Sequence, residues 1–227
     1  MIHAEEVLRK TLQALRQQRE LLQSPVHALV LGDWGVGKTT SAMKICKENS
    51  DTFYLRVPAE DITRSKLVKL VAYALRAGYR NTVEATLDLL KYTIEVKNLK
   101  PFLFVDEARY LFKRPTMLDV LKELAEDPDI GLSYIFLADK QTTKAIMHNP
   151  HSLHKRILIT KELEPITEKT IKTIVEPLKL PVEPFAKIAL ARNWTTIDLC
   201  FVATVVAKGK MEPTEEAIAK VAQTLGR

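Results

Sequence analysis

A glycine-rich stretch near the N-terminus constrains the fold more than any other feature of the sequence. It consists of Gly32, Asp33, Trp34, Gly35, Val36, Gly37, Lys38 and Thr39. The apolar run 28–31 before it predicts a short buried strand, and residues 40–45 after it predict the first turns of a helix. This order is typical of a phosphate-binding loop, because glycines let backbone N–H groups point at a phosphate and the helix N-terminus adds positive potential.

The same loop supplies side chains that suit a nucleotide. Lys38 is expected to reach the β- and γ-phosphates of ATP or GTP, and the Thr39 hydroxyl to ligate Mg²⁺. Thr40, the next residue, is included in the predicted contact set. A glycine turn with an unrelated lysine is the alternative, and the flanking strand and helix argue against it.

Composition narrows the class of protein. The chain has 227 residues, enough for one large or two small domains. It contains no run of 18 apolar residues and opens on a polar, acidic segment, so neither a membrane span nor a signal peptide is expected. We interpret Cys46 and Cys200 as reduced core residues of a cytoplasmic protein, with a redox pair as the alternative.

Charge is distributed unevenly along the chain. The net charge is +6, and residues 1–100 carry 16 Lys and Arg against 11 Asp and Glu, whereas residues 101–227 carry 18 against 17. A basic excess in the N-terminal part favours a polyanionic partner such as nucleic acid.

Most of that excess lies in one segment, 62–83, which has no acidic residue. The spacing of its leucines and valines predicts an amphipathic helix. On an ideal helix five of its side chains fall within an arc of about 80°, and Arg64 adds to their charge. The five are Lys66, Lys69, Tyr73, Arg76 and Arg80. Such a face suits a DNA phosphate backbone, and the alternative is an ordinary solvated helix face.

Carboxylates follow two further predicted strands. Asp106 and Glu107 end the apolar run 102–105, where a buried parallel strand would deliver them to its carboxyl edge. Asp106 would hold the water shell of Mg²⁺, and Glu107 would activate the attacking water. Asp139 follows the predicted strand 133–138 and either touches the γ-phosphate and that water or caps a helix beginning near Thr142.

The last third of the chain contains one more candidate catalytic residue and then becomes entirely helical in its predicted structure. Arg156 precedes a late strand, where a cation is placed to point at a neighbouring subunit's site. His151 and His154 lack the company of metal ligands, so we expect them on the surface. Helical segments over 163–178, 185–192, 196–207 and 213–225 predict a small all-helical appendage.

This order of motifs resembles that of an AAA+ ATPase. The stretch 104–111 and the helix after it most resemble the transposition target selectors, namely the Mu B, TniB and TnsC-like proteins. The resemblance implies an α/β fold, a P-loop AAA+ αβα sandwich with a parallel sheet and a small C-terminal helical lid. The nucleotide-binding core would span residues 1–160, and the lid residues 161–227.

Function and roles follow from the same resemblance. Subunits that have bound ATP and Mg²⁺ would assemble as a ring or helical filament on double-stranded DNA, and the filament would recruit a transposase that stimulates hydrolysis. Lys38 and Thr39 correspond to Walker A, and Asp106 and Glu107 to Walker B. The remaining correspondences are Asp139 with sensor 1, Arg156 with the arginine finger, and the segments after the second strand with the DNA-facing side.

One position departs from the family pattern. The second sensor normally places an arginine at the start of a lid helix, whereas Thr195 and Thr196 stand there in this sequence, and Arg192 is the nearest substitute. The departure implies slow or partner-dependent hydrolysis.

Two other functions are alternatives to target selection. A helicase loader shares the ATPase core, but no motif for a partner helicase is visible in the sequence. A signalling STAND-type ATPase also shares the core, but such proteins carry long repeat regions after the lid. The acid-free basic segment favours DNA over a signalling ligand.

Overall fold

The computed structural model describes residues 3–142, 144, 146, 151–164, 166–224 and 226. Positions 165 and 225, which belong to predicted helical segments, lie outside the described residues. The described chain forms two compact units. The first comprises residues 1–7, 32–41 and 163–227, and the second comprises residues 8–31 and 42–162.

A five-stranded parallel sheet forms the centre of the second unit. Its strands are β1 (His27–Leu31), β2 (Thr52–Arg56), β3 (Phe102–Asp106), β4 (Ser133–Ala138) and β5 (Ile157–Glu162), in the spatial order β2-β3-β4-β1-β5. The three inner strands are buried along their whole length, as the continuous apolar runs predict for a sheet covered on both faces. These strands confirm the predicted α/β fold.

Helices flank this sheet along the chain. They are α1 (His3–Leu22), α2 (Lys38–Glu48), α3 (Arg64–Ala74), α4 (Val83–Val96), α5 (Arg109–Phe112) and α6 (Pro115–Glu126), with a 3₁₀ turn at Ser152–Arg156. Side chains of α3, α4 and α6 join those of the strands in one apolar core. No described helix combines the length and the apolar character needed to cross a membrane.

The C-terminal helices have an apolar core of their own within the first unit. They are α7 (Glu168–Val175), α8 (Val182–Ala191), α9 (Thr196–Lys208) and α10 (Glu215–Thr224), with a 3₁₀ turn at Glu176–Leu178 after α7. Phe185, Trp194, Leu199 and Val202 are at the centre of this core. Residues 32–41 belong to the same compact unit as these helices. The division at residues 160 and 161 therefore stays a prediction about domains.

The predicted basic helix is shorter than its sequence suggests. Helix α3 ends at Ala74, because Arg76 adopts a left-handed backbone with φ of +57°. The Ala77 N–H then donates to the Ala72 carbonyl at 2.9 Å, and the Arg76 N–H to the Tyr73 carbonyl, which is the Schellman pattern of a helix end. Arg76 and Arg80 therefore do not share the helical face of Lys66, Lys69 and Tyr73, and that part of the prediction is wrong.

The cysteine prediction also needs a correction. Both thiols are free, as expected, but Cys200 is exposed and Cys46 is half-buried, so neither is a core residue. Burial raises the pKa of the Cys46 thiol to about 11, so at neutral pH this thiol is a weak nucleophile.

Candidate functional site: a phosphate-binding loop and a carboxylate edge

The loop between β1 and α2 has the backbone that a phosphate cradle requires. Gly35 and Gly37 have φ of +83° and +92°, a region that only glycine enters without strain. The Lys38 ammonium donates to the carbonyls of Gly32 and Asp33, the second at 2.9 Å. Lys38 also begins α2, so the first helical turn follows the loop without a break. The described conformation suits a phosphate bound by backbone N–H groups and one ammonium.

Thr195, at the start of one of the C-terminal helices, packs against this loop inside the first unit. A Cβ on Gly35 would lie 2.7 Å from the Thr195 hydroxyl oxygen, nearer than real Cβ contacts come. Thr195 is the N-cap of α9 and forms a capping box with Asp198, whose carboxylate accepts from the Thr195 N–H at 2.9 Å. The threonine at the position of the missing sensor arginine therefore contacts the loop backbone directly.

The second unit presents Asp106 at the carboxyl edge of the sheet. Asp106 is the last residue of β3 and is 4% exposed. The Tyr54 hydroxyl donates to one carboxylate oxygen at 2.7 Å, and the Glu107 N–H donates to the other at 2.9 Å. These two bonds fix the direction of the carboxylate. Sequence reasoning missed Tyr54, although its place on β2 beside β3 was readable from the order of the strands.

The position of Asp106 fits a magnesium site of the kind that phosphates complete. No described cluster of three or more His, Cys, Asp or Glu side chains could hold a metal ion by itself. Magnesium usually takes one or two carboxylates together with substrate phosphates. Asp106 supplies one oriented carboxylate of that kind, and the magnesium role of Thr39 stays a prediction.

Arg109 joins the two acidic residues that the sequence predicts to be catalytic. Its guanidinium lies 3.2 Å from the Glu107 carboxylate and donates to the Asp139 carboxylate at 3.0 Å. The guanidinium also lies over the Tyr110 ring, 4.9 Å from its centroid. Glu107 has a left-handed backbone with φ of +56°, a strained conformation of the kind found at functional sites. Sequence reasoning gave Arg109 no role, because its ion pairs depend on how β3 and β4 lie side by side.

Asp139 is engaged on two sides. Its carboxylate accepts from both the N–H and the hydroxyl of Thr142 at 3.0 Å, which is the capping contact weighed as one of two roles. Burial opposes ionisation, but the hydrogen bonds from Thr142 and Arg109 outweigh it and hold the pKa of Asp139 below its usual value. The role of Asp139 at a γ-phosphate stays a prediction.

Arg156 lies at the opposite edge of the sheet from these carboxylates. It immediately precedes β5, and β5 runs parallel to β1 with Ile157 beside His27 at the amino ends of both strands. Its guanidinium pairs with Glu126 at 2.7 Å, and both side chains are partly exposed. His151 and His154 lie in the turn before it and form a capping box rather than an exposed pair.

The predicted DNA-binding residues fall into two groups. Lys66, Lys69 and Tyr73 share one face of α3, but Arg64 pairs with Glu123 of α6 at 2.7 Å. Arg76 and Arg80 follow the helix end and are exposed there. Lys66 contacts Glu60 at 3.2 Å, so part of its charge is balanced.

Comparisons with known proteins agree with this fold. A family model described as AAA domain matches residues 11–172. No curated protein matches the sequence significantly.

Several solved structures share the fold at low sequence identity. The ORC2 protein of Aeropyrum pernix, solved in ADPNP–ADP complexes, is 16% identical with a TM-score of 0.64 over 95% of this chain and 67% of its own. The ORC1 protein of the same organism, solved in complex with DNA, is 16% identical with a TM-score of 0.63 over 99% of this chain and 66% of its own. The RuvB Holliday junction branch migration motor of Thermotoga maritima is 18% identical with a TM-score of 0.59 over 97% of this chain and 69% of its own. The chain thus spans about two thirds of the length of these structures.

Proposed function

Because the chain belongs to the AAA domain family, we propose that it is an ATPase that assembles on double-stranded DNA and delivers target DNA to a transposase. The observation that carries the ATPase part is the carboxyl edge of the sheet. There β1 leads directly into the glycine loop, and β3 ends in a buried, doubly hydrogen-bonded Asp106 followed by Glu107. The motif pattern of residues 104–111 supports the transposition part.

Each site residue has a definite task in the proposed ATPase. The loop N–H groups and Lys38 bind the phosphates, and Thr39 with Asp106 would hold Mg²⁺, which when bound neutralises phosphate charge. Glu107 accepts the proton of the attacking water. Tyr54 keeps Asp106 oriented through its hydrogen bond.

The place of Arg156 supports an oligomer. A guanidinium at the amino end of β5 is on the far edge of the sheet from Asp106 in the same subunit. Arg156 can therefore contact only the γ-phosphate of an ATP that is bound to a neighbouring subunit. Because that contact joins two subunits, ATP binding would control assembly. In an assembly, Arg156 would exchange Glu126 for that phosphate.

DNA binding is proposed for the basic residues around α3. Lys66 and Lys69 lie on one face of α3 and are partly exposed, and Arg76 and Arg80 extend the positive charge beyond the helix end. Of the structurally similar proteins, ORC1 was solved in complex with DNA, and RuvB is described as a Holliday junction branch migration motor. The salt dependence of binding would report how many of these cations meet phosphates.

Negative-stain microscopy with duplex DNA tests the proposal directly. Rings or filaments on DNA should appear with an ATP analogue and be absent with ADP or without nucleotide. Lys38→Ala should abolish that assembly, and Lys47→Ala, which removes an exposed lysine at the other end of α2, should leave it intact. Normal assembly of the Lys38→Ala protein would contradict the phosphate-binding role.

The transposase part has its own test. The cognate transposase should raise the hydrolysis rate of the DNA-bound assembly and release it from DNA. A protein that stays monomeric with all three nucleotide states would instead favour a helicase loader or a signalling ATPase that needs another partner.

A further inference from the structure

A shallow groove beside the start of α3 is lined by basic, aromatic and hydroxyl side chains. Its volume is about 470 Å³, and it is lined by Thr63, Ser65, Lys66, Lys69, Leu70, Tyr73 and Tyr79. None of these lining residues is acidic, and the first turn of α3 contains no acid either. The groove therefore combines two aromatic rings with two ammonium groups and a helix N-terminus.

The two tyrosines are exposed to an unusual degree for aromatic side chains. Tyr73 is 71% and Tyr79 is 56% exposed, so both keep ring area that burial against a ligand would remove from water. The Lys69 ammonium lies 5.7 Å from the Tyr79 ring centroid, within cation–π range. Lys69 forms no ion pair with any described residue, so its charge is available to an anion.

The end of α3 at Ala74 places Tyr79 beside Lys69. The left-handed turn at Arg76 and the positive φ of Gly78 reverse the chain and bring Tyr79 back beside Lys69, ten residues earlier. Tyr73 follows Lys69 by one helical turn on the same face. A straight helix through residue 80 would have separated Lys69 and Tyr79 by almost three turns.

We propose that this groove binds an unpaired nucleobase, and that the protein therefore prefers DNA containing an unstacked nucleotide over a perfect duplex. The inference rests on the proposed DNA binding and names the DNA class that the same site takes. Tyr73 and Tyr79 offer ring faces to the base, and Lys66 and Lys69 contact the flanking phosphates. Lysines alone would suffice for a duplex backbone, whereas exposed rings contribute only when a base face becomes accessible.

The measurement is binding of three fluorescently labelled DNAs by the full chain with an ATP analogue, namely a single strand, a perfect duplex and a duplex with one bulged base. The wild-type protein should bind the bulged duplex and the single strand more tightly than the perfect duplex. Stacking on an aromatic side chain contributes about 1–3 kcal/mol per base, so the preference should be roughly 5- to 150-fold. A 2-aminopurine at the bulge should lose fluorescence when it stacks on a ring.

Matched variants separate stacking from charge. Tyr73→Ala with Tyr79→Ala should weaken binding of the bulged duplex and the single strand far more than binding of the perfect duplex, and should thereby abolish the preference without changing the salt dependence. Tyr73→Phe with Tyr79→Phe should retain the preference, because phenylalanine keeps the ring face. Tyr92→Ala is the control, since Tyr92 is 62% exposed on α4 and does not line the groove. Lys66→Ala with Lys69→Ala should instead weaken all three DNAs and flatten the salt dependence.

The outcomes distinguish this inference from the function on which it rests. Duplex binding with no preference for the bulge, or tyrosine variants that weaken every DNA equally, would overturn the stacking groove and leave DNA binding intact. Failure to bind any of the three DNAs would overturn both. Circular dichroism of the alanine variants checks that these surface changes leave the fold unaltered.

Discussion

A buried histidine in an inner strand of the sheet should make the free energy of unfolding strongly dependent on pH. His27 is the first residue of β1 and is fully buried, and its Nδ1 accepts the Tyr134 N–H at 3.1 Å. Burial, helped by the positive charges of Arg156 and Arg19 and opposed by a backbone hydrogen bond, lowers the pKa of His27 from an ordinary value of 6.5 to about 3. Asparagine at this position keeps an acceptor near that N–H and cannot be protonated, so His27→Asn is the informative change.

Proton linkage gives the sign and the size of the pH effect on the free energy of unfolding. Because the folded-state pKa is depressed, the unfolded chain binds the proton first as the pH falls. The neutral histidine's contribution is thus complete above about pH 6.5 and is lost progressively towards pH 3. Between pH 7 and pH 5 the loss from this one residue is about 2 kcal/mol, and below pH 6 it approaches about 1.4 kcal/mol per pH unit.

Urea unfolding at several pH values measures this loss. The wild-type free energy of unfolding should fall by about 2 kcal/mol more than that of His27→Asn between pH 7 and pH 5, because all other titrating groups are common to both proteins. His3→Asn is the control, since His3 lies at the start of α1 and outside the sheet. Equal pH dependence of the wild-type and His27→Asn proteins would refute the buried neutral histidine.

Three further substitutions test the candidate site. Gly35→Ala should weaken ATP-analogue binding by about tenfold or more in calorimetry, because its φ and the Thr195 hydroxyl leave no room for a Cβ. Tyr54→Phe should destabilise the protein by about 1.5 kcal/mol in urea unfolding, because a buried carboxylate loses a hydrogen bond. Arg109→Ala should raise basal hydrolysis roughly two- to fivefold in a phosphate-release assay, because the Glu107 carboxylate is then released from an ion pair and is free to meet the attacking water.

Each of these substitutions has a matched control. Gly78→Ala places an alanine at a positive φ outside the loop with room for the Cβ, so nucleotide affinity should be unchanged. Tyr92→Phe alters an exposed hydroxyl and should leave stability unchanged. Arg114→Ala removes an arginine that pairs with Asp61, away from Glu107, and should leave hydrolysis unchanged. A slower Arg109→Ala enzyme would show that the arginine supports catalysis instead of restraining the base.

The parallel sheet was readable from the sequence because its determinants are local. Short apolar runs bounded by glycine or polar residues predict buried strands, and the order of the motifs predicts which strand edge carries the carboxylates. The glycine loop was also recognisable, since glycine permits the positive φ that Gly35 and Gly37 adopt and the flanking strand and helix mark the motif.

Helix α3 shows where local reasoning failed. Its end depends on Arg76 entering a left-handed conformation that glycine normally takes, and no glycine marked the position. The helical periodicity of the sequence predicted a helix that continues through residue 80, and so placed Arg76 and Arg80 on a face that they do not share. The Schellman hydrogen bonds decided the boundary, and with it the groove that contains Tyr79.

The sequence by itself determined the buried strands, the glycine loop and the two acidic residues that end and follow β3, because each depends on neighbours within a few residues. Only the tertiary structure decided that Arg109 joins Glu107 to Asp139, that Tyr54 holds Asp106 and that Thr195 meets Gly35. The physical reason is that these contacts depend on how different strands, helices and loops lie next to one another. Their distances are set by strand register and core packing, and sequence periodicity does not encode either of them.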